Sequence, residues 1–297
     1  MISVHGLTKS FGSVPALAGI DLEVPAGQVF ALLGHNGAGK TTLVRILSTL
    51  LLPTSGTASV AGHDVVRSPR AVRKAISLTG QYAAVDELLT GAENLRMMAR
   101  LWRVKVEVPS VLARFDLADA GNRQVKTYSG GMRRRLDLAI SLLARPSVLF
   151  LDEPTTGLDP LGRAGVWEMV STLAADGVTI FLTTQYLEEA DRLASHVAVM
   201  DHGKIIASGT PASLKSRVAG GHLSLTFTSP AALAAAASLL PSAVASADDL
   251  TLQVATDGSF DEVRRIVNQV DGVAEVSLSK PTLDDVFLQL TGTGRLS

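Results

Sequence analysis

The stretch that most constrains this chain is residues 29–43, "VFALLGHNGAGKTTL". An apolar run reads as a buried strand, and it enters a loop of small residues that ends at Lys40 and Thr41. Gly34 to Thr41 fits the G-x-x-x-x-G-K-[ST] pattern of a phosphate-binding loop. Glycines at 34, 37 and 39 let the backbone turn its N–H groups inward, where side chains would block a polyphosphate. The helix opening near Lys40 brings the positive end of its dipole to the same place. In this reading Lys40 reaches the β- and γ-phosphates and the Thr41 hydroxyl ligates Mg²⁺. The helix is patterned Leu43, Ile46, Leu47 and Leu50. That periodicity separates it from a glycine-rich turn with an exposed lysine.

Around this loop the chain reads as α/β. "ISVHGLTKSF", "IDLEV" and "TASVAGHDV" are short antiparallel strands broken by Gly27, Pro53 and Gly56. "KAISLTGQ" is a further strand, ending at Gln81. From about 82 to 143 the pattern is helical, and "TGAENLRMMARLW" sets Leu95, Met98, Ala99 and Trp102 on one face. "SVLFLDEP" and "VTIFLTT" are apolar enough for a parallel sheet buried on both faces, with "GRAGVWEMVSTLAADG" as the helix between them. "HVAVMDHGKIIASGT" reads as strand, turn at Asp201 to Gly203, and strand.

After about residue 216 the composition shifts. Residues 217–297 read as a small α+β domain of the ferredoxin-like type: "HLSLTFT", an alanine-rich helix, "DLTLQVAT", "FDEVRRIVNQV", "VAEVSLS" and "LDDVFLQL". Ser259 and Glu262 suit a capping box for a helix presenting Phe260, Val263, Ile266, Val267 and Val270. The last helix sets Leu283, Val286, Phe287 and Leu290 on one stripe, with Asp284 and Asp285 near its N-terminus.

Composition narrows the function. From Val218 to Ala247 no charged side chain occurs, but Pro230 and Pro241 confine the best apolar stretch to "AALAAAASLL". That is far short of the ~20 strongly apolar residues a membrane span needs. A net charge of −1 gives no bulk attraction to nucleic acid. With no cysteine, disulfides and zinc-thiolate sites are excluded. The start "MISVHGLTKSFG" lacks the layout of a signal peptide, so a cytoplasmic protein is expected.

Two further segments carry chemistry. In "SVLFLDEPTTGLD", Asp152 stands at the end of a buried strand, where a P-loop nucleotidase holds Mg²⁺. Glu153 beside it can orient and deprotonate the attacking water. In "TYSGGMRRRLDLAISLLA", Ser129, Gly130 and Gly131 precede a helix and form a second anion-binding end. A second phosphate-binding tip makes sense if it serves the γ-phosphate bound by a partner subunit. Arg133, Arg134 and Arg135 point about 100° apart and are no single patch, suiting ion pairs or solvent.

Taken together, residues 1 to about 215 resemble the ATP-binding subunits of ATP-binding cassette (ABC) transporters. "GHNGAGKT" looks like the Walker A loop, which implies ATP contacts from Gly34, His35, Asn36, Gly37, Ala38, Gly39, Lys40, Thr41 and Thr42. "SGG" resembles the family signature, "LFLDE" its Walker B and catalytic glutamate, and "TGLDP" the D-loop that touches the opposite site. Gln81 matches the Q-loop residue that contacts Mg²⁺ and senses the transmembrane partner. Phe11 is similar to the aromatic that stacks on adenine. The family histidine after the last sheet strand is replaced by Gln185 in "TTQYLEEA". Glutamine still donates a hydrogen bond but does not titrate.

Gln185, "GQYAAVDELLTGAENL" and "PTLDDVF" resemble the drug-exporting branch that includes the daunorubicin/doxorubicin-resistance subunits. The resemblance implies an ABC ATPase domain over 1–216: a mixed sheet core, an antiparallel β subdomain and a helical subdomain over about 82–143. The appendage over 217–297 would regulate or dimerise. It further implies Mg²⁺ and ATP as cofactors, a homodimer, a separate multi-spanning permease, and a peripheral place on the cytoplasmic face of the membrane. A soluble cassette ATPase acting on ribosomes or DNA is the alternative. Such proteins carry paired cassettes or long coiled coils, and this chain has neither. A stand-alone P-loop kinase leaves the "SGG" helix unexplained.

Overall fold

The computed structural model describes residues 1–80, 84–216, 221–256, 258–279 and 282–291. The chain divides into two compact units, Met1–Pro211 and Ala212–Ser297.

In the first unit a six-stranded sheet runs in the order Lys204–Gly209, His196–Asp201, Val29–Leu33, Thr179–Thr184, Val148–Asp152, Ile76–Thr79. All neighbours are parallel except the first pair, joined by the turn at Asp201 to Gly203. Val29–Leu33, Val148–Asp152 and Thr179–Thr184 are buried at every position, as their unbroken apolar runs require. These three adjacent strands end together, so the residues that follow each of them meet at one edge. The residues following Val29–Leu33 form the glycine loop, which therefore opens at the carboxyl end of the sheet.

A second sheet is antiparallel: Val14–Val24, Ile2–Phe11, Ser55–Val60, His63–Asp64. Its inward residues Ile2, Val4, Leu7, Leu17 and Ile20 share one core with Phe30, Leu43, Ile46 and Phe150. A helical part holds Gly91–Trp102, Val108–Arg114 and Gly130–Ser141. Thr90 and Glu93 close a reciprocal capping box at its first helix. The helix Pro160–Ala175 links the two buried parallel strands and is capped by Asp159, whose carboxylate accepts from Gly162 N–H at 2.8 Å.

Several sequence expectations need correction here. The helix after the glycine loop is Lys40–Leu47, and Leu50 lies beyond it, 63% exposed. Trp102, the last residue of its helix, is exposed, while Leu95 and Ala99 are buried. "KAISLTGQ" is not one strand: Lys74 and Ala75 end a helix, Pro69–Ala75, and the strand is Ile76–Thr79. That helix has no apolar stripe to read, because Val72 is its one buried residue.

The second unit holds an antiparallel sheet in the order Val244–Ser246, Thr251–Thr256, Gly221–Phe227, Val273–Ser279. Leu223, Leu225, Phe227, Leu252 and Val254 form its inner face. Leu233 and Ala236 of Pro230–Leu239, with Ile266 of Phe260–Val267 and Val270 just beyond it, cover that face. The alternation in "HLSLTFT" is what lets one face be apolar. The short strand Val244–Ser246 carries no such signal and was not expected. Ser259 Oγ accepts from Glu262 N–H, one half of the expected capping box, while Glu262 Oε2 accepts from Thr256 Oγ1. Phe260 at the first helical position is 79% exposed rather than part of the stripe. In Leu283–Thr291, Leu283 and Val286 are buried and Phe287 is half-buried, while the side chain of Leu290 lies outside the described residues.

Candidate functional site

The three buried strands deliver three loops to one place. Gly34 N–H donates to Thr184 O at 3.2 Å, which sets the glycine loop against the end of Thr179–Thr184. Each glycine has its own reason to be there. Gly37 and Gly39 take left-handed φ values of 86° and 110°. Gly34 does not, but a Cβ there would stand 2.5 Å from Met200 O. The loop can lie flat on the neighbouring strand only without that carbon.

Lys40 follows at the first helical position and is 3% exposed. Its ammonium donates to Gly34 O at 2.8 Å and His35 O at 3.1 Å, and sits 3.2 Å from Glu153 Oε1. Thr41 Oγ1 donates to Asp152 Oδ1 at 3.3 Å. Thr183, a residue the sequence reading passed over, donates its hydroxyl to the same Asp152 oxygen at 2.6 Å. Glu153 has a left-handed backbone, φ 49°, unusual for a side chain of its size. Its N–H is held by Thr183 through both O and Oγ1, each at 3.1 Å. Thr156 Oγ1 donates to Glu153 Oε2 at 3.3 Å.

A cavity of about 210 Å³ is lined by Ala16, Asn36, Gly37, Gly39, Lys40, Thr41, Thr42 and Glu153. One cation, hydroxyls, backbone donors and a carboxylate thus face one space, as polyphosphate binding and hydrolysis require. Thr41 Oγ1 and the Asp152 carboxylate are hard oxygen donors side by side, a donor set that fits Mg²⁺. Ala38 is buried within the loop. Gln185 follows Thr184 directly and is half-buried at the same sheet edge. Gln81 lies outside the described residues.

Two further groups lie outside this cavity. Phe11 does not line the cavity; it is 52% exposed at the end of its strand, with Lys9 Nζ 5.2 Å from its ring centre. Ser129 caps Gly130–Ser141, its hydroxyl accepting from Met132 N–H at 3.3 Å. With Gly131, Asp159 and Gly162 it borders a separate groove. A Cβ on Gly131 would come 3.1 Å from Gly162 Cα, so this glycine also lets two helices approach closely. Within one chain, the "SGG" tip and the glycine loop line different cavities.

The three arginines separate as expected, but one is buried. Arg133 pairs with Glu87 at 3.0 Å and Arg135 with Asp116. Arg134 is 4% exposed and donates to Pro154 O at 2.6 Å, Gly80 O at 2.7 Å and Asp137. Burial pulls the Arg134 guanidinium down and pushes the Asp137 carboxyl up, each opposed by the other's charge. Glu189 is fully buried and accepts from Thr155 Oγ1 at 2.9 Å and Trp167 Nε1 at 3.0 Å. Burial raises its carboxyl above the usual range. Arg134 and Glu189 brace the backbone after Glu153 from two sides.

Comparisons with known proteins agree with this geometry. The family model for ABC transporters matches residues 17–156. The daunorubicin resistance ATP-binding protein DrrA3 of Streptomyces coeruleorubidus is 49% identical over 305 residues, 99% of this chain and 96% of that protein. The daunorubicin/doxorubicin resistance ATP-binding protein DrrA of Streptomyces peucetius is 47% identical over 304 residues, 98% of this chain and 92% of that protein. A solved ATP-binding subunit of an ABC transporter aligns with a TM-score of 0.64 at 26% identity, over 73% of this chain and 92% of that one. The chain belongs to the ATP-binding subunits of the ABC transporter family, and it is an ATPase. A membrane partner follows from that membership. Among the described residues no helix is long and apolar enough to cross a membrane.

Proposed function

We propose that this chain powers the export of a drug or hydrophobic metabolite through a separate membrane permease, from the cytoplasmic face of the membrane. The observation that carries the reading is the single cavity in which the glycine loop, Lys40, Thr41 and Glu153 meet. The near-half identity to drug-resistance ATP-binding proteins supports that class of cargo.

In this reading the backbone N–H groups from Gly34 to Thr42 and the Lys40 ammonium hold the phosphates. Thr41 and Asp152 would hold Mg²⁺, with Gln81 as a further contact, and the ion would supply positive charge beside the phosphate oxygens. Thr183 fixes the Asp152 carboxylate for that task. Glu153 orients a water molecule in line with the γ-phosphate and accepts its proton. Gln185 donates a hydrogen bond toward the γ-phosphate without titrating. Phe11 gives adenine a face to stack on.

Ser129, Gly130 and Gly131 act on the γ-phosphate of a second copy, so the working unit is a homodimer. The separate cavities of loop and "SGG" tip within one chain favour this arrangement. The unit after residue 211 is read as a ferredoxin-like appendage that holds subunits together or docks on the permease. Its β-α-β-β-α-β element order supports that class.

Co-expression with a candidate multi-spanning permease, in a host that accumulates a fluorescent anthracycline, tests the reading. Lower accumulation with the intact chain, and none of that reduction with Lys40→Ala, is expected. Equal accumulation with and without the intact chain would remove the export role.

A further inference from the structure

Among the described residues, one group of three or more potential metal ligands has its donor atoms close together: His35, Asp201 and His202, all within 4.8 Å of one another. His35 belongs to the glycine loop but does not line its cavity. Asp201 and His202 belong to the turn between His196–Asp201 and Lys204–Gly209. Gly203 N–H donates to Ala38 O at 3.0 Å, which holds that turn against the loop.

The hydrogen bonding of His35 is what gives the cluster a direction. Its Nδ1 stands 2.7 Å from Asn36 O, and its Nε2 2.8 Å from Asp201 Oδ1. Both partners are acceptors only. With the ring proton on Nδ1, donated to the carbonyl, Nε2 turns a lone pair toward a carboxylate oxygen. A cation between those two atoms relieves the confrontation. A second ring proton would do the same, but it would leave His202 unused. His202 Nε2 lies 3.8 Å from the same Asp201 oxygen, and the His35 and His202 rings meet edge to face at 5.7 Å.

An imidazole whose Nδ1–H is fixed by a backbone carbonyl while Nε2 is left free is the usual orientation of a metal-ligating histidine. Two ring nitrogens and one carboxylate suit a borderline transition metal such as zinc rather than Mg²⁺ or Ca²⁺. Zinc–ligand bonds of about 2.0–2.1 Å in a tetrahedron set the ligand atoms roughly 3.3 Å apart. His35 Nε2 and Asp201 Oδ1, at 2.8 Å, must therefore part slightly, and His202 Nε2, 3.8 Å from that oxygen, must close in. The His202 side chain is 87% exposed and free to make that movement. Three protein ligands leave one position open to water.

We propose that His35, Asp201 and His202 form a binding site for a zinc-like divalent transition metal on the outer side of the glycine loop. The site is separate from the nucleotide cavity and does not depend on the reading of that cavity. A bound ion would add a second tie between the turn and the loop, beside the Gly203–Ala38 hydrogen bond.

The test uses the full chain, free of any affinity tag and of nucleotide, in excess Mg²⁺ near pH 7.5. Zinc uptake is measured by competition with a chromophoric chelator, and Co²⁺ is added separately to read ligand-field absorption. His202→Asn is the informative variant, because asparagine accepts the left-handed backbone of that turn, φ 43°. Wild type should take up one zinc per chain, and the variant should bind about tenfold more weakly or worse. The tetrahedral Co²⁺ bands should vanish with it, while ATP hydrolysis without zinc stays unchanged. Asp201→Asn should weaken zinc as well. No zinc uptake by wild type, or uptake that His202→Asn leaves intact, overturns the proposal. Chemical shifts of a doubly protonated His35 without metal uptake would assign the Asp201 contact to a proton instead.

Discussion

Lys40 Nζ lies 3.2 Å from Glu153 Oε1, and both side chains are almost fully buried. Lysine and carboxylate come from the ends of two different parallel strands, and neither charge has bulk water to relax into. Removing the lysine therefore does two things. It takes away the main phosphate cation, and it strands the Glu153 carboxylate. Charge-assisted hydrogen bonds contribute roughly 1.5–3 kcal/mol each, so Lys40→Ala should bind ATP about ten- to a hundredfold more weakly. Its melting temperature should fall as well, since breaking a buried pair leaves an uncompensated charge. Titration calorimetry and thermal melts read the two effects separately. Unchanged ATP affinity would take Lys40 out of the phosphate site.

Thr183 was invisible in the sequence, yet its hydroxyl donates to Asp152 Oδ1 at 2.6 Å and accepts from Glu153 N–H at 3.1 Å. Thr183→Val keeps the shape and removes both bonds. Turnover should drop about tenfold, because the pair of carboxylates loses its alignment, while ATP affinity changes by less than about threefold. Steady-state kinetics beside equilibrium binding would show the split. A loss confined to binding would assign Thr183 to the nucleotide rather than to the carboxylates.

Glu189 gives a pH signature. Burial raises its carboxyl above the ordinary value of 4.5. Between that value and the raised one, the folded chain keeps a proton the unfolded chain has lost, so stability falls as pH rises through the window. Its contribution is full below 4.5 and is lost as pH passes the folded value. Asp137 is raised too and acts with the same sign. Glu189→Gln keeps an acceptor for Thr155 and Trp167 and removes one of the two titrations. Relative to wild type, the variant should gain stability as pH rises above 4.5, until the folded carboxyl has ionised, in denaturant melts. A constant difference across that range would mean that Glu189 is ionised in the folded chain throughout.

Gln185 stands where the family carries histidine. With no imidazole there, the activity of wild type should show no step from this position between about pH 6 and pH 8. Gln185→His should introduce one without abolishing turnover, visible in kcat/KM against pH. Identical profiles would disconnect this position from the reacting phosphate.

How much of this was legible in the sequence depends on the distance over which each feature is set. The glycine loop, the strand ending in Asp152 and the strand ending in Thr184 are local patterns, and each stands where its residues imply. Helix ends were less legible: periodicity ran on through Leu50 and Trp102, although packing stops earlier. Phe260 failed for the same reason at an N-terminus, where the first residue faces away from the stripe. The braces around the catalytic strand were not legible at all. Arg134 reaches Gly80 and Pro154, and Glu189 reaches Thr155 and Trp167, pairings that only the folded chain creates. The left-handed backbone of Glu153 is likewise imposed from outside, by Thr183.

The central claim is that Glu153 takes the proton from the attacking water while Lys40 and the glycine loop hold the nucleotide. Glu153→Gln tests it most directly, because glutamine keeps the shape and still accepts from Lys40 but cannot serve as a base. ATP binding and single-turnover hydrolysis are measured on the same preparation. Binding should stay within about threefold of wild type while hydrolysis falls a hundredfold or more, the usual range for a lost general base. An Glu153→Gln protein that hydrolyses ATP at the wild-type rate would contradict the account.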